Sequence, residues 1–292
     1  LYSRAKELLG QEELFGPRPP LLGAAVNNQT VLQQLLSRFA GVQALHHQAR
    51  TIWEQSLGPA HPHMADSWTN LAMCHVVLGE YPQAQQAVEN AVEVLQKQPG
   101  LPEESPLRGP SRCAVSLLAR IYAQYSQAES PALQALRSFE NTFGVAHPAV
   151  VGPLCSLALF YGELARYIAS ATPFLLRAET AVEKNLGKDH PQLAVIQLWQ
   201  AELLLAQKQY PAAKQTAEKA LKLALATYGE DHLLTATILN SLAQAKIELG
   251  ESTDARTHLE KARRILEKNI GKGCPDMVQT QALLAALESG PI

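Results

Sequence analysis

Aromatic residues are scarce in this chain, 6% of 292, and charges of one sign do not dominate: the formal net charge at pH 7 is -2. A nucleic-acid partner finds no support in that balance, because binding the phosphate backbone draws on a clustered cationic surface. Even the cation-rich last third offsets its Lys and Arg with Asp and Glu. Cysteine is sparse as well. Cys74, Cys113, Cys155 and Cys274 stand far apart with no CxxC spacing, which neither a metal site nor a disulfide framework would use. That pattern points to a reducing, cytoplasmic setting. No run approaches the roughly 20 apolar residues of a spanning helix, and the N-terminus has no charged-then-apolar secretion signal. Membrane insertion is therefore not expected, and the Asn28-Gln29-Thr30 sequon has no secretory context.

What the chain does have is apolar content of 47%, led by alanine and leucine, enough for a large packed core and suited to helices rather than sheets. A length of 292 residues exceeds the usual single-core domain, so two domains or an elongated repeat array is expected. The repeat decides between them. Glycines align at Gly16, Gly58, Gly100, Gly144, Gly187, Gly229 and Gly271, at intervals of 42, 42, 44, 43, 42 and 42. The same turn recurs after several of them, as Gly58-Pro-Ala-His61-Pro62, Gly144-Val-Ala-His147-Pro148, Gly187-Lys-Asp-His190-Pro191 and Gly229-Glu-Asp-His232. Glycine ends one helix and proline opens the next, so each unit starts with a stop and a start. Ala72, Ala158, Ala201, Ala243 and Ala285 then occupy one recurring site, where a small residue lets two helices cross closely. Tyr81, Tyr167 and Tyr210 open a second helix whose paired alanines, such as Ala84 with Ala91 and Ala213 with Ala220, mark its inner face.

The segments Trp68-x2-Leu71-Ala72-x2-His75 and Ala84-x3-Val88 resemble the tetratricopeptide repeat pattern, and the longer period adds roughly two helical turns to its usual 34 residues. The motifs Leu57-Gly58-Pro-Ala-His61-Pro62, Trp68-Thr69-Asn70-Leu71-Ala72 and Gly79-Glu80-Tyr81 are similar to those of the kinesin light chain group of 42-residue repeats, over most of residues 16–288. The resemblance implies an all-α, right-handed superhelical solenoid of helix-turn-helix units. Residues 1–15 read as a remnant helix of an upstream unit, and 16–292 as the array, with units starting near 16, 58, 100, 144, 187, 229 and 271. The turn at 100–112 is lengthened, and the hairpin after it is shortened between Tyr122 and Pro131.

Nine histidines invite a metal or hydrolase reading. Four of them, His61, His147, His190 and His232, share one repeat position and sit on separate units, so a turn-capping role is expected instead. His46, His47 and His258 fall on second helices as exposed polar positions. Gly187-Lys188 and Gly271-Lys272 lack the rest of a phosphate loop. No metal, cofactor or catalytic set follows, and the chain reads as a protein- or peptide-binding scaffold rather than an enzyme. The alternative is a regulatory or self-assembly segment whose groove is filled by another part of its own chain.

In such a superhelix the first helices line the concave face. The positions flanking the Leu-Ala pair there are Thr69, Asn70, Met73, Ser116, Arg120, Leu159, Leu198, Trp199, Glu202, Asn240 and Gln244, with Asp66, Cys155 and Thr237 beside them. The kinesin light chain resemblance implies groove asparagines and cations gripping tryptophan-containing acidic peptides. Asn70 and Asn240 fit, but Met64–Gly79 and Pro191–Gln207 carry no Lys or Arg. A carboxylate clamp is disfavoured, and a hydrophobic or aromatic peptide segment, bound with little salt dependence, is expected.

Overall fold

The computed structural model describes Arg4, Glu7 and residues 19–164, 168–270 and 273–289. These residues form thirteen α-helices and no strand. In chain order they are α1 (Pro20–Leu35), α2 (Val42–Leu57), α3 (Pro62–Leu78), α4 (Tyr81–Lys97), α5 (Gly109–Ile121), α6 (Tyr125–Phe143) and α7 (Val151–Glu163). They continue with α8 (Ile168–Leu186), α9 (Gln192–Ala206), α10 (Tyr210–Thr227), α11 (Leu233–Glu248), α12 (Ser252–Asn269) and α13 (Pro275–Ser289). The remnant helix expected at 1–15, apart from Arg4 and Glu7, lies outside the described residues, as do Gly16, Tyr167 and Gly271.

The recurring turn explains the helix ends. Gly58 and Gly144 close α2 and α6 at φ 90° and 91°, a region that an L side chain rarely adopts, and their N–H groups reach back to the Glu54 and Glu140 carbonyls. Three residues on, the histidine takes the capping role usually held by Ser or Asp. The Nδ1 atoms of His61, His147, His190 and His232 accept from the backbone N–H two residues later at 3.3, 3.1, 3.3 and 3.1 Å. One otherwise unpaired helix-start N–H is thereby satisfied in each of these four units.

Odd and even helices form two layers. The two helices of each hairpin pack on one another, each second helix packs on the next unit's first helix, and the first helices also touch their counterparts directly along the whole series. The odd-numbered helices therefore build one continuous inner layer. Small residues permit the crossings: Ala72, Ala201 and Ala243 are all but fully buried, the first against Ala84 and Ala114, the second against Ala217 and Leu242, the third against Ala255 and Leu259. Ala285 holds the same repeat position on α13 but is exposed. In the first unit Gly23 does this service, since a Cβ there would stand 2.5 Å from the Trp53 indole, whose Nε1 donates to the Pro20 carbonyl at 3.0 Å.

The long turn expected at 100–112 ends at Arg108, where α5 begins; it contains a single 3-10 turn, Pro106–Arg108, pinned by Arg108 donating to the Leu101 and Pro102 carbonyls at 3.2 and 3.1 Å. In the hairpin after it, α5 is 13 residues long against 17 in α3, and the turn into α6 closes within Tyr122–Gln124. Helix α6 runs 19 residues straight through Pro131, held by Ala128, Ala132 and Ala135, all fully buried, so packing overrides the backbone bond that the proline removes.

The solenoid also winds back on itself. The α1–α2 turn reaches the start of α11, where His232 Nε2 lies 2.6 Å from the Leu35 carbonyl and the Leu233 N–H donates to Ser37 Oγ at 3.1 Å, across 197 and 196 residues of chain. One unit later, Gly79 in the α3–α4 turn sits so close to the start of α13 that a Cβ would meet the Gly273 carbonyl at 3.2 Å and Pro275 Cδ at 3.3 Å.

Candidate functional site

Helix α5 brings Ser116 and Arg120 one turn apart into the inner layer, α7 brings Leu159 and Glu163, and α9 brings Trp199 and Glu202. Arg120, Leu159, Trp199 and Glu202 line one cavity of about 200 Å3, with Gly162, Glu163 and Leu203 completing its wall. Arg120 is tied to Glu163 at 2.5 Å, and its side chain is only 9% exposed. The charge of Arg120 is thus already matched within the chain. Its Nε remains buried with no acceptor among the described residues, as does Ser116 Oγ.

Glu202 faces the opposite problem. Burial, and then the negative charge of Asp276, push its carboxyl up to about 7, while Ser241 Oγ at 3.4 Å and the more distant Arg120 only partly offset this. Asp276 is also raised by burial, though Thr237 Oγ1 donates to it at 2.6 Å. Ionised together, Arg120, Glu163, Glu202 and Asp276 carry a net negative charge. The lining is apolar and mildly acidic, with no cation free to meet an acidic ligand.

The other sequence-derived positions separate into three groups. Met73 is 42% exposed and Asn70 and Gln244 are half-buried, so they remain open to the inner surface. Thr69 and Ser116 are buried, and Leu198 packs into the core with Ala220 and Ile238. Asn240 is fully buried, its amide donating to the Asp276 carbonyl at 3.2 Å and accepting from Thr280 Oγ1 at 2.9 Å, so it joins α11 to α13. Glu163, Gly162 and Asp276 were missed. Glu163 lay one turn beyond Leu159 and could have been found by extending the same helical face.

His46 departs from the sequence reading: it is fully buried, not exposed. Its Nδ1 lies 3.0 Å from Ser67 Oγ, to which Arg50 also donates at 3.3 Å while its guanidinium stacks 3.7 Å above the Trp68 ring. Helix periodicity brought it inward, where burial and the neighbouring Arg50 push the imidazole down to about 4. A neutral ring accepting or donating once at Ser67 resolves what would otherwise be a buried charge. The described residues contain no group of three or more His, Cys, Asp or Glu side chains placed to hold a metal ion, and none of their helices is long and apolar enough to cross a membrane.

These features define a helical-repeat solenoid with a lined inner surface. The tetratricopeptide repeat family pattern matches residues 24–97 and 192–268, just over half of the chain, and the chain belongs to that family. Among curated proteins it is similar to the Clustered mitochondria protein homolog of Aedes aegypti, 26% identical over 159 residues, which are 53% of this chain and 11% of that protein. The chain thus matches a small part of that relative's length. Among solved structures it resembles a putative kinesin light chain with nearly identical TPR-like repeats from Podosopora anserina, at 23% identity and TM-score 0.51 over 71% of this chain and 97% of that one. BtubC (BKLC) from P. vanneervenii superposes with TM-score 0.56 at 15% identity, over 80% of this chain and 91% of that one. Likeness at these identities is likeness of fold.

Proposed function

We propose that this chain is a non-catalytic scaffold that holds an extended or short helical segment of a partner protein against its inner helices, in a reducing, cytoplasmic compartment. The observation that carries this reading is the convergence of Arg120, Leu159, Trp199 and Glu202 on one cavity. An apolar or aromatic side chain of the partner would fill the space between Leu159, Trp199 and Leu203, and a backbone carbonyl would supply the acceptor that Arg120 Nε lacks. Family membership supports the general role, since repeats of this type present extended concave surfaces. With Arg120 neutralised by Glu163 and two further carboxylates nearby, an acidic segment gains no long-range attraction.

A peptide-array screen followed by titration tests this. Affinity for the selected peptide is expected to change less than about threefold between low and high salt. Trp199→Ala should weaken it by about tenfold or more, as a buried aromatic anchor does. Preference for acidic peptides with steep salt dependence would overturn the reading, and binding indifferent to Trp199→Ala would move the site away from this cavity.

A further inference from the structure

The contact between the α1–α2 turn and the start of α11 has the marks of a fitted joint. Ser37 stands at φ 58°, a conformation disfavoured for serine, yet only 2% of its surface is exposed. Its hydroxyl accepts the Leu233 N–H at 3.1 Å, so a residue from the first hairpin caps a helix that begins 196 residues downstream. His232 completes the joint with both ring nitrogens. Nδ1 accepts from the Leu234 N–H at 3.1 Å, which leaves Nε2 to carry the proton and donate to the Leu35 carbonyl at 2.6 Å. His61, His147 and His190 make the same Nδ1 cap, and His232 adds a bond from Nε2 to a distant unit. Phe39 packs on the cluster of Leu233, Ala236 and Met277. Leu35 walls a second cavity, about 350 Å3, whose opposite side includes Cys155 and Trp199. The turn therefore stands beside the very tryptophan that lines the candidate groove.

The joint repeats in register. Ser37 meets Leu233, and Gly79 meets Gly273 and Pro275, at nearly the same sequence offset. Turns of hairpins one and two thus sit on units five further along. Two hydrogen bonds, one ring and a glycine contact form a small seam compared with the continuous packing between neighbouring units.

We propose that this seam is a reversible clasp: the Leu35–Phe39 turn, seated on the start of α11, holds the superhelix closed and limits how wide the inner groove can open to a partner segment. The claim about access rests on the groove-binding reading above, whereas the clasp itself does not. Closed, the groove admits a side chain or an extended strand of peptide from its open end. Released, the first two hairpins swing away from α11 and α13 and expose Trp199 from the Leu35 side.

The test uses the whole chain with no ligand, by small-angle scattering and amide hydrogen exchange, with far-UV circular dichroism as the control for folding. The variant Ser37→Gly/Phe39→Ser removes the hydroxyl and the ring while glycine keeps the backbone conformation. It should raise the radius of gyration and speed exchange of the Leu233 amide by about tenfold or more, leaving the Ala217 and Leu242 amides unchanged. Ser37→Asn retains an acceptor and tolerates the left-handed backbone, so it should keep Leu233 protected. Unchanged scattering and protection in the helical double variant would overturn the clasp. Loss of protection in Ser37→Asn equal to that in Ser37→Gly would overturn the trans cap. Should the double variant lose helix, Ser37→Gly alone, read against Ser37→Asn, decides the same question. Finally, the peptide selected from the array should bind the open variant with a faster association rate. An unchanged rate would separate the clasp from the groove, and failure to find any peptide would count against groove binding while scattering still reads the clasp.

Discussion

The joint between α2 and α3 and the joint between α10 and α11 occupy equivalent places in the repeat and are built from opposite materials. At the first, His46, Arg50 and Ser67 form a buried polar network roofed by Trp68. At the second, Ala217, Ala220 and Ala224 meet Ile238 and Leu242 in an apolar contact. The backbone geometry is common, because it depends on a small residue at the crossing and not on what surrounds it. What differs is how each joint responds to its environment: the apolar one to volume, the polar one to protons.

The largest expected effect follows at the apolar joint. Leu242 is 2% exposed and fills the space between Ala201 and Ala217. Leu242→Ala leaves a cavity at this crossing and should cost about 2–5 kcal/mol in denaturant unfolding. A loss well under that range would mean the C-terminal joint is looser than its packing implies.

The polar joint should instead weaken in acid. His46 is held near 4 in the fold against an ordinary value of 6.5, so its neutral form is favoured there. Its contribution is fully present above pH 6.5 and is lost as pH falls through the interval down to about 4. By pH 5 the loss should approach about 2 kcal/mol. Amide exchange resolved by region would show α2 and α3 opening before α10 and α11, and His46→Phe, which cannot be protonated, should flatten that part of the profile. Equal acid sensitivity of both joints would break the comparison.

The same contrast shows what was legible in the sequence. The all-helical solenoid and its crossing alanines could be read because they depend on spacing, and spacing repeats. The histidine caps could be read for the same reason. His46 could not, since a single polar residue on a second helix has no repeat to mark it, and its burial depends on Ser67 arriving from α3. Among the groove positions, Arg120, Leu159, Trp199 and Glu202 do meet around a cavity, because a face one turn long is set by helix geometry. Leu198 and Asn240 sit beside that face and turn into contacts with α10 and α13, a difference of one position that 42-residue periodicity does not resolve. The contact of Ser37 with Leu233 was out of reach: it follows from the summed rotation of five units, and no local pattern encodes that sum.

The smallest effect, and the one that best sharpens the comparison, concerns Glu202. It lies in the C-terminal half, beside Ser241 of α11, and its carboxyl is raised from 4.5 to about 7 by burial and by Asp276. The sign is opposite to that of His46. A raised carboxyl means the fold holds a proton that the unfolded chain has already released, so stability falls as pH rises from about 4.5 to about 7. Above pH 7 the ionised group remains near Asp276 and Glu163, with Arg120 engaged elsewhere. Glu202→Gln keeps the shape, retains an acceptor for Ser241 and removes the charge. It should therefore stabilise the chain by about 1 kcal/mol at pH 8, discounted from the full shift because the side chain is partly open to solvent, and leave stability at pH 4 nearly unchanged. Stabilisation equal at both pH values would assign the effect to packing. No stabilisation at pH 8 would mean that solvent or a partner cation reaches Glu202, and that the cavity between α5, α7 and α9 is wetter than its apolar lining implies.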